Sequence, residues 1–470
     1  MKTNPILTLS VLAFLALSCA QELAEPQGGP GEVSQVEMNV SLPDASVKTS
    51  LGPKADNGYP TLWSEGDMIS LNGVKSKALN AESAGKNTAS FLFKGDIRYP
   101  YNILYPATDK ASQVNFPAVQ QYVPGTFDPL AVPMYSSSRS FENASLSHLS
   151  SLLKFSISSA ESVVLSQIQG TSIGGENLSG TFEMQMDEEG LFSGAMTSVK
   201  GSVSTSLSFG DQGLTLSSTP QEFFISIPHG TYTKGFNVLL ITEDSKVMTL
   251  KFYTKDGEKV VAPAKVIEFE TVEFAGEDSI LLIRTVEELQ SLADVQGDYE
   301  EAVLVADLDF TGVEWTPISE IAIVLNGAGH ALKGLPAPLC KTLSGTVKDM
   351  TVEADINLVS GTKAATFAEV VTGEEACLSN CIARGEVKLT EDYGSGDIYL
   401  AGLVAQVTGG GTVENCVNYA DVTVDSKSKD MNYLYVGGCV ADNKGHLRNM
   451  VNSGTVTVAD GVAPVTRLTV

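Results

Sequence analysis

The chain has 470 residues with 56 acidic against 30 basic side chains, a formal net charge of -26. Such an excess repels nucleic acid and anionic lipid surfaces, so nucleic acid is excluded as a partner. The length suffices for several domains with cores of their own, and abundant Ser, Thr, Gly and Val with little helical periodicity predict an all-β chain. Beyond Cys19 the cysteines are Cys340, Cys377, Cys381, Cys416 and Cys439, with no C-x-x-C pair among them. The histidines His148, His229, His330 and His446 are scattered. No metal site, no cofactor and no catalytic triad is expected from them.

A basic start at Lys2, an apolar run from Ile6 to Leu17 and small residues after it describe a secretory signal peptide, residues 1–18. The segment Ala16-Leu17-Ser18-Cys19 resembles a bacterial lipobox, with Ala16 where leucine is usual. That resemblance implies lipidation of Cys19 and an outer-membrane anchor, each buried CH₂ of an acyl chain contributing about 0.8 kcal/mol. The alternative is cleavage after Ala20, since Ser18 and Ala20 also satisfy the small-x-small rule of ordinary signal peptidase. Residues 19–35 are rich in Gly, Pro, Glu and Gln and read as a flexible tether.

Alternation of period two begins at Val36-Glu37-Met38-Asn39-Val40 and returns at Ala89 to Phe93, as expected of strands with one buried face. Three segments, Trp63 to Leu71, Thr88 to Phe93 and Tyr101 to Ala107, together resemble the first domain of fimbrillin-like proteins, exported pilins and pilus-associated proteins of Gram-negative anaerobes. Glu65-Gly66 reads as a turn between two strands, with Trp63 and Ile69 as inward anchors. The resemblance implies β-sandwiches over residues 36–147 and 148–277, the second restarting at Leu149, Leu152, Leu153, Phe155 and Ile157. It further implies possible pilus partners reached by strand donation, with Lys48 as the candidate processing site; the first arginine is only Arg98, which speaks against arginine-specific maturation.

From residue 278 a repeat takes over. Segments ending in Met350, Cys381, Cys416 and Met450 align without gaps at intervals of 31, 35 and 34 residues. Thr285 with Glu288 forms a capping box opening a short helix, expected to cover the first rung. Three short strands per period predict a parallel β-helix over 278–470, right-handed, in which equivalent residues stack about 4.8 Å apart. Met350, Cys381, Cys416 and Met450 then fill a core column, and Asn380, Asn415 and Asn449 form a structural turn ladder. The motif Ala401-Gly402-Leu403-Val404 with Val413-Glu414-Asn415-Cys416 resembles GLUG-type repeats of bacterial surface proteins. The tail from Val462 to Val470 is strand-like and could pair with another subunit.

These features point to a non-enzymatic surface lipoprotein, adhesin-like or pilus-associated, presenting the β-helix to a host protein or glycan. Tyr393, Tyr399, Tyr419, Tyr433 and Tyr435 are the candidate ligand contacts, with rim packing as their plainer role. Two alternatives stand beside it. A glycan-cleaving enzyme would draw on Asp355, Glu386 and Asp421, which share one repeat column; a nutrient-capture lipoprotein would work beside an outer-membrane transporter.

Overall fold

A computed structural model describes residues 35–43, 62–254, 258–276, 279–390, 395–426, 428, 430–462 and 466–469. Cys19, tether residues 20–34, Lys48 and Tyr393 lie outside them, while Gln35, assigned to the tether, opens the first strand. The chain is mostly β, and no helix among the described residues is long and apolar enough to cross a membrane.

Two sheets form the first unit. In one, Gln35–Ser41 lies between Thr88–Lys94, antiparallel, and Asn143–Ser145, parallel. In the other, the strands run in the order Ser147–His148, Met134–Ser138, Tyr101–Tyr105, Ser70–Leu71, Val74–Lys75. Alternate residues Met38, Val40, Phe91 and Phe93 of the first sheet meet Leu71, Ile103, Tyr105 and Met134 of the second in one core. Trp63 sits at its centre, edge-on to Phe91 at 4.9 Å and Tyr105 at 5.6 Å, and its Nε1 donates to the Val40 carbonyl at 3.3 Å.

The turn expected at Glu65-Gly66 is present, but it does not join two strands. Trp63 and Ile69 are buried anchors in irregular backbone, and Asp67 staples the turn by accepting from the Ser64 amide at 2.7 Å. The hairpin comes one step later. It is Ser70–Leu71 with Val74–Lys75 around Asn72 (φ 51°) and Gly73 (φ 83°), two consecutive left-handed residues that match the twist of the flanking strands.

The second unit packs a sheet centred on Ser150–Ser158 against one in which Val163–Ser172 lies between Gly235–Thr242 and Ser204–Ser208. Phe155, Ile157, Phe223 and Ile225 meet Ile168, Val238 and Leu240 between them. Two strands within 36–147 belong here by pairing. Gln113–Phe116 joins Ser179–Met186 and Val119–Gln121 joins Ser204–Ser208, before Met134–Ser138 returns to the first unit. Buried Gln120 secures the crossing: its amide donates to Thr205 Oγ1 (3.0 Å) and the Ser226 carbonyl (2.7 Å) and accepts from the Ser226 amide (2.8 Å). Gln120→Leu keeps the bulk but strands both Ser226 backbone groups away from water, so a loss of about 1–3 kcal/mol is expected in denaturant titrations. Gln120→Glu should lose a similar amount, because a buried carboxylate cannot donate to the same carbonyl.

Beyond residue 279 every sheet is parallel. The first ladder runs Ile280–Ile283, Glu301–Leu304, Val324–Asn326, Thr346–Lys348, Cys377–Ser379, Thr412–Glu414 and His446–Arg448. The next strand of each turn joins a second ladder, including Thr351–Asn357 and Ile382–Leu389, and another joins a third, including Ala368–Thr372 and Val404–Thr408. The later turns add a fourth strand to the three expected: Lys363–Ala364, Gly396–Ala401, Met431–Gly437 and Thr466–Thr469 pair in parallel. The extra residues of the longer repeats are spent there. The tail strand Thr466–Thr469 thus pairs within its own chain.

All the ladders share one core, which includes Leu325, Val347, Leu378 and Val413 as one column. The capping box forms at Thr285 and Glu288, and Leu289 and Leu292 of the two short helices are fully buried in the same core, covering its first turn. The outer face of that first ladder is also covered. Leu282, Val303 and Ala328 pack on Leu239, Ile241 and Val247 of the second unit, and Ser202 Oγ donates to the Gly329 carbonyl at 2.8 Å.

Candidate functional site

Tyr399, Tyr433 and Tyr435 come together on the fourth ladder, because Tyr399 and Tyr435 are register partners and side chains in a strand repeat every second residue. Tyr399 stacks on Tyr435 with centroids 4.6 Å apart and planes 7° from parallel, and Tyr433 lies 6.4 Å from Tyr435. Lys363 Nζ is 5.8 Å from the Tyr399 ring centre. Beneath the pair, Ala365, Ala401, Ala405 and Ala441 form a small buried cluster where the third and fourth ladders meet. Only residues this small let the two rings lie into the corner. Burial raises the Tyr399 hydroxyl pKa, as do the charges of Asp397 and Asp442. Beside it Gln406 Nε2 donates to Asp442 Oδ2 at 3.1 Å, and Lys444 pairs with the same carboxylate at 3.2 Å.

This corner therefore presents ring edges and hydroxyls flanked by an amide, a carboxylate and an ammonium, with two ring faces turned to each other. The outermost aromatic is Tyr433, 42% exposed. Tyr419 stands apart, 45% exposed, on the second ladder's side with the Arg384 guanidinium 4.7 Å over its ring.

The residues of the repeat columns occupy equivalent places on successive turns. Met350, Cys381 and Cys416 are buried, Met450 is partly buried, and the amide after each of the last three donates to the carbonyl of the column residue before it: Ile382 N to Met350 O and Val417 N to Cys381 O, both at 3.0 Å, and Val451 N to Cys416 O at 3.1 Å. Asn380, Asn415 and Asn449 all hold left-handed backbone, φ 52°, 54° and 49°, and Asp349 joins them at 56°. Asn is among the side chains that tolerate this region. Asn380 Nδ2 donates to Asp349 Oδ1 and Asn449 Nδ2 to Asn415 Oδ1, each at 3.0 Å. Burial raises the Asp349 carboxyl pKa, against the lowering effect of that Asn380 bond.

A second asparagine pair escaped the sequence reading. Asn418 is fully buried; its Oδ1 accepts from the Ala420 amide and its Nδ2 donates to the Ala420 carbonyl and to Asn452 Oδ1. A Cβ on Gly402 would fall 2.2 Å from Asn418, and one on Gly438 2.4 Å from Asn452. One turn earlier the same two places hold Thr366 and Ala383. The larger side chain has changed sides, from Thr366 in one repeat to Asn418 in the next. The signal in the sequence was the spacing of Gly402 and Gly438 from Asn418 and Asn452, visible only once both columns are known to face each other.

The carboxylates of the enzymatic alternative are adjacent by register, Asp355 with Glu386 and Glu386 with Asp421. Lys388 Nζ sits between the first two, 2.7 Å from Asp355 and 3.0 Å from Glu386, and Asp421 Oδ1 accepts from the Thr455 amide at 2.7 Å. Each carboxylate thus has a structural partner on the ladder. Among the described residues no cluster of His, Cys, Asp and Glu is arranged to hold a metal ion.

At the other end of the chain, Gln35–Ser41 is the central strand of its sheet, with seven paired residues on one side and three on the other. Met38, Val40 and Leu42 carry it into the core. Its withdrawal would open a groove floored by Trp63, Phe91 and Phe93.

No family model matches the chain, and no curated protein matches it. Solved structures similar to it include a fimbrial protein from Bacteroides ovatus, 13% identical over 53% of this chain and 52% of that one, at a TM-score of 0.22. The chain spans about half the length of that protein. The tip fimbrial protein Mfa3 from Porphyromonas gingivalis is 12% identical over 48% of this chain and 83% of its own, at 0.23. A candidate cell adhesion protein from Bacteroides ovatus is 10% identical over 51% and 93%, at 0.28. At such scores the likeness carries no argument about this chain.

Proposed function

We propose that the chain is a non-enzymatic, lipid-anchored protein of the outer-membrane surface, adhesin-like or pilus-associated. In this reading the first two units are fimbrillin-like β-sandwich spacers, and the last third is a β-helix of GLUG-type repeats that meets a host protein or glycan. The observation that carries it is the set of parallel ladders around one core. Consecutive strands that each pair with the next turn wind the chain into a coil, and crossovers between parallel strands are right-handed in about 98% of cases. A coil builds extended faces of repeating side chains, a form suited to binding.

The anchor rests on the lipobox at Cys19, and the pilus connection on the central place of Gln35–Ser41 in its sheet. Backbone pairing on both sides is what a donated strand would reproduce.

The test is to screen the full chain against immobilised host proteins and a glycan array, then repeat the best hit with Tyr433→Ala. Loss of at least about tenfold in affinity with unchanged circular dichroism is expected, since exposed aromatics dominate such contacts. Undiminished binding would remove the tyrosine corner from the contact. Depolymerisation of a polysaccharide, abolished by Glu386→Gln, would replace the whole reading with the glycan-cleaving one.

A further inference from the structure

Three of the five free thiols among the described residues, Cys381, Cys416 and Cys439, share the interior of the last turns of the coil, and the first two are consecutive members of the core column. Cys381 and Cys416 immediately precede the register partners Ile382 and Val417 of neighbouring strands, and both have no exposed surface. Val417 N donates to the Cys381 carbonyl, which fixes the two backbones side by side, and the Cys381 amide itself reaches Cys416 Sγ at 3.4 Å. Adjacent strands stand about 4.8 Å apart. Disulfides span Cα separations of about 4.4–6.8 Å. Each thiol is directed at the carbonyl two residues before it, Cys381 Sγ at Ser379 O (3.2 Å) and Cys416 Sγ at Glu414 O (3.1 Å), with longer contacts to Val347 O (3.9 Å) and Leu378 O (3.7 Å) of the preceding repeat. Cys439 enters from the corner of the third and fourth ladders, with its Sγ directed to the Val451 carbonyl.

We propose that Cys381 and Cys416 form a latent cross-turn disulfide, made while the coil folds and closed to exchange afterwards. The oxidant is a disulfide donor, either a small-molecule disulfide or a protein dithiol oxidase. One cysteine thiolate attacks the donor's S–S bond and gives a mixed disulfide with release of one donor thiolate. The second cysteine thiolate then attacks the protein sulfur of that mixed disulfide and releases the other. Two electrons and two protons pass from the cysteines to the donor, which leaves as two thiols. Exchange needs thiolate and access. In the folded chain access is withheld from both sulfurs, neither residue having exposed surface, and burial raises the pKa of the Cys381 thiol. The redox state is therefore set before the turns close. The proposal rests on the exported reading only for where the donor is met, and its test is independent of that reading.

The full chain is refolded from denaturant with oxidised and reduced glutathione, alkylated, digested and mapped by mass spectrometry, beside a sample refolded in reductant alone. The expected result is a cross-link joining the peptides of Cys381 and Cys416, with Cys340 and Cys377 alkylated. The linked protein should resist unfolding more than the reduced one, and native protein of either form should keep its state for hours in the opposite buffer. Cys381→Ala and Cys416→Ala should each abolish the link. Should either variant fail to fold, the wild-type map decides alone. Both cysteines alkylated after oxidative refolding, or a link from Cys416 to Cys439, would overturn the proposal.

Discussion

Replacing Gly402 by alanine is expected to cost about 2–3 kcal/mol, with the damage confined to the last strands of the parallel ladders. The backbone there accepts any residue, so the cause is steric: the added carbon would meet the fully buried Asn418 amide at 2.2 Å. Overpacking of this kind costs about 1–3 kcal/mol, and forcing Asn418 aside also breaks its bonds to both backbone groups of Ala420. Asn418→Ala should by itself lose a similar amount through those bonds. The two costs should not add. With the amide gone the new carbon has room, so the double variant should be no less stable than Asn418→Ala, as the Thr366 and Ala383 pair one turn earlier already accommodates side chains in this arrangement. Because a chain of several units does not unfold in one step, hydrogen exchange over peptides spanning 402–424 is the measurement to pair with denaturant melts. Additive losses would show that the glycine and the asparagine are not coupled.

Trp63→Ala should be more costly still, about 3–5 kcal/mol, as for other buried large aromatics. Its ring contacts Phe91 and Tyr105 edge-on, and its indole N–H is the side-chain bond to the Val40 carbonyl of the central strand. The loss should therefore appear first in Gln35–Ser41. Amides of Val36 to Val40 should exchange faster in Trp63→Ala, and in Trp63→Phe to a lesser degree, since Phe refills much of the cavity but returns no hydrogen bond. If protection of that strand is unchanged while the unit as a whole is destabilised, Trp63 packs the core without holding the strand. The measurement bears on function, because a strand that can be loosened by one contact is one that another strand could replace.

What the amino-acid order determined by itself is local. Alternation of apolar residues marked strands such as Gln35–Ser41 and Thr88–Lys94, since a half-buried strand must repeat every two residues. The capping box at Thr285 was legible because its donors and acceptors lie within one turn of chain. The gapless repeat placed Thr346, Cys377, Thr412 and His446 in one column, which is the register of their ladder, because stacked turns repeat the same environment.

Tertiary structure decided the rest. The Gln113–Gln121 stretch pairs across units through partners up to about a hundred residues away, and nothing in its own composition states to which sheet it belongs. Asn72-Gly73, not Glu65-Gly66, closes the first hairpin, because the strands that support a turn are chosen by the neighbouring Tyr101–Tyr105 strand. Tyr399 and Tyr435 turn their faces to each other because parallel register sets like side chains one above another, on a fourth ladder beyond the three strands expected per repeat. Asn418 is buried because a glycine across the core makes room for it. Local patterning specifies which residues must be hidden; only the closing of long loops, whose entropy is paid by contacts far apart in sequence, selects what hides them.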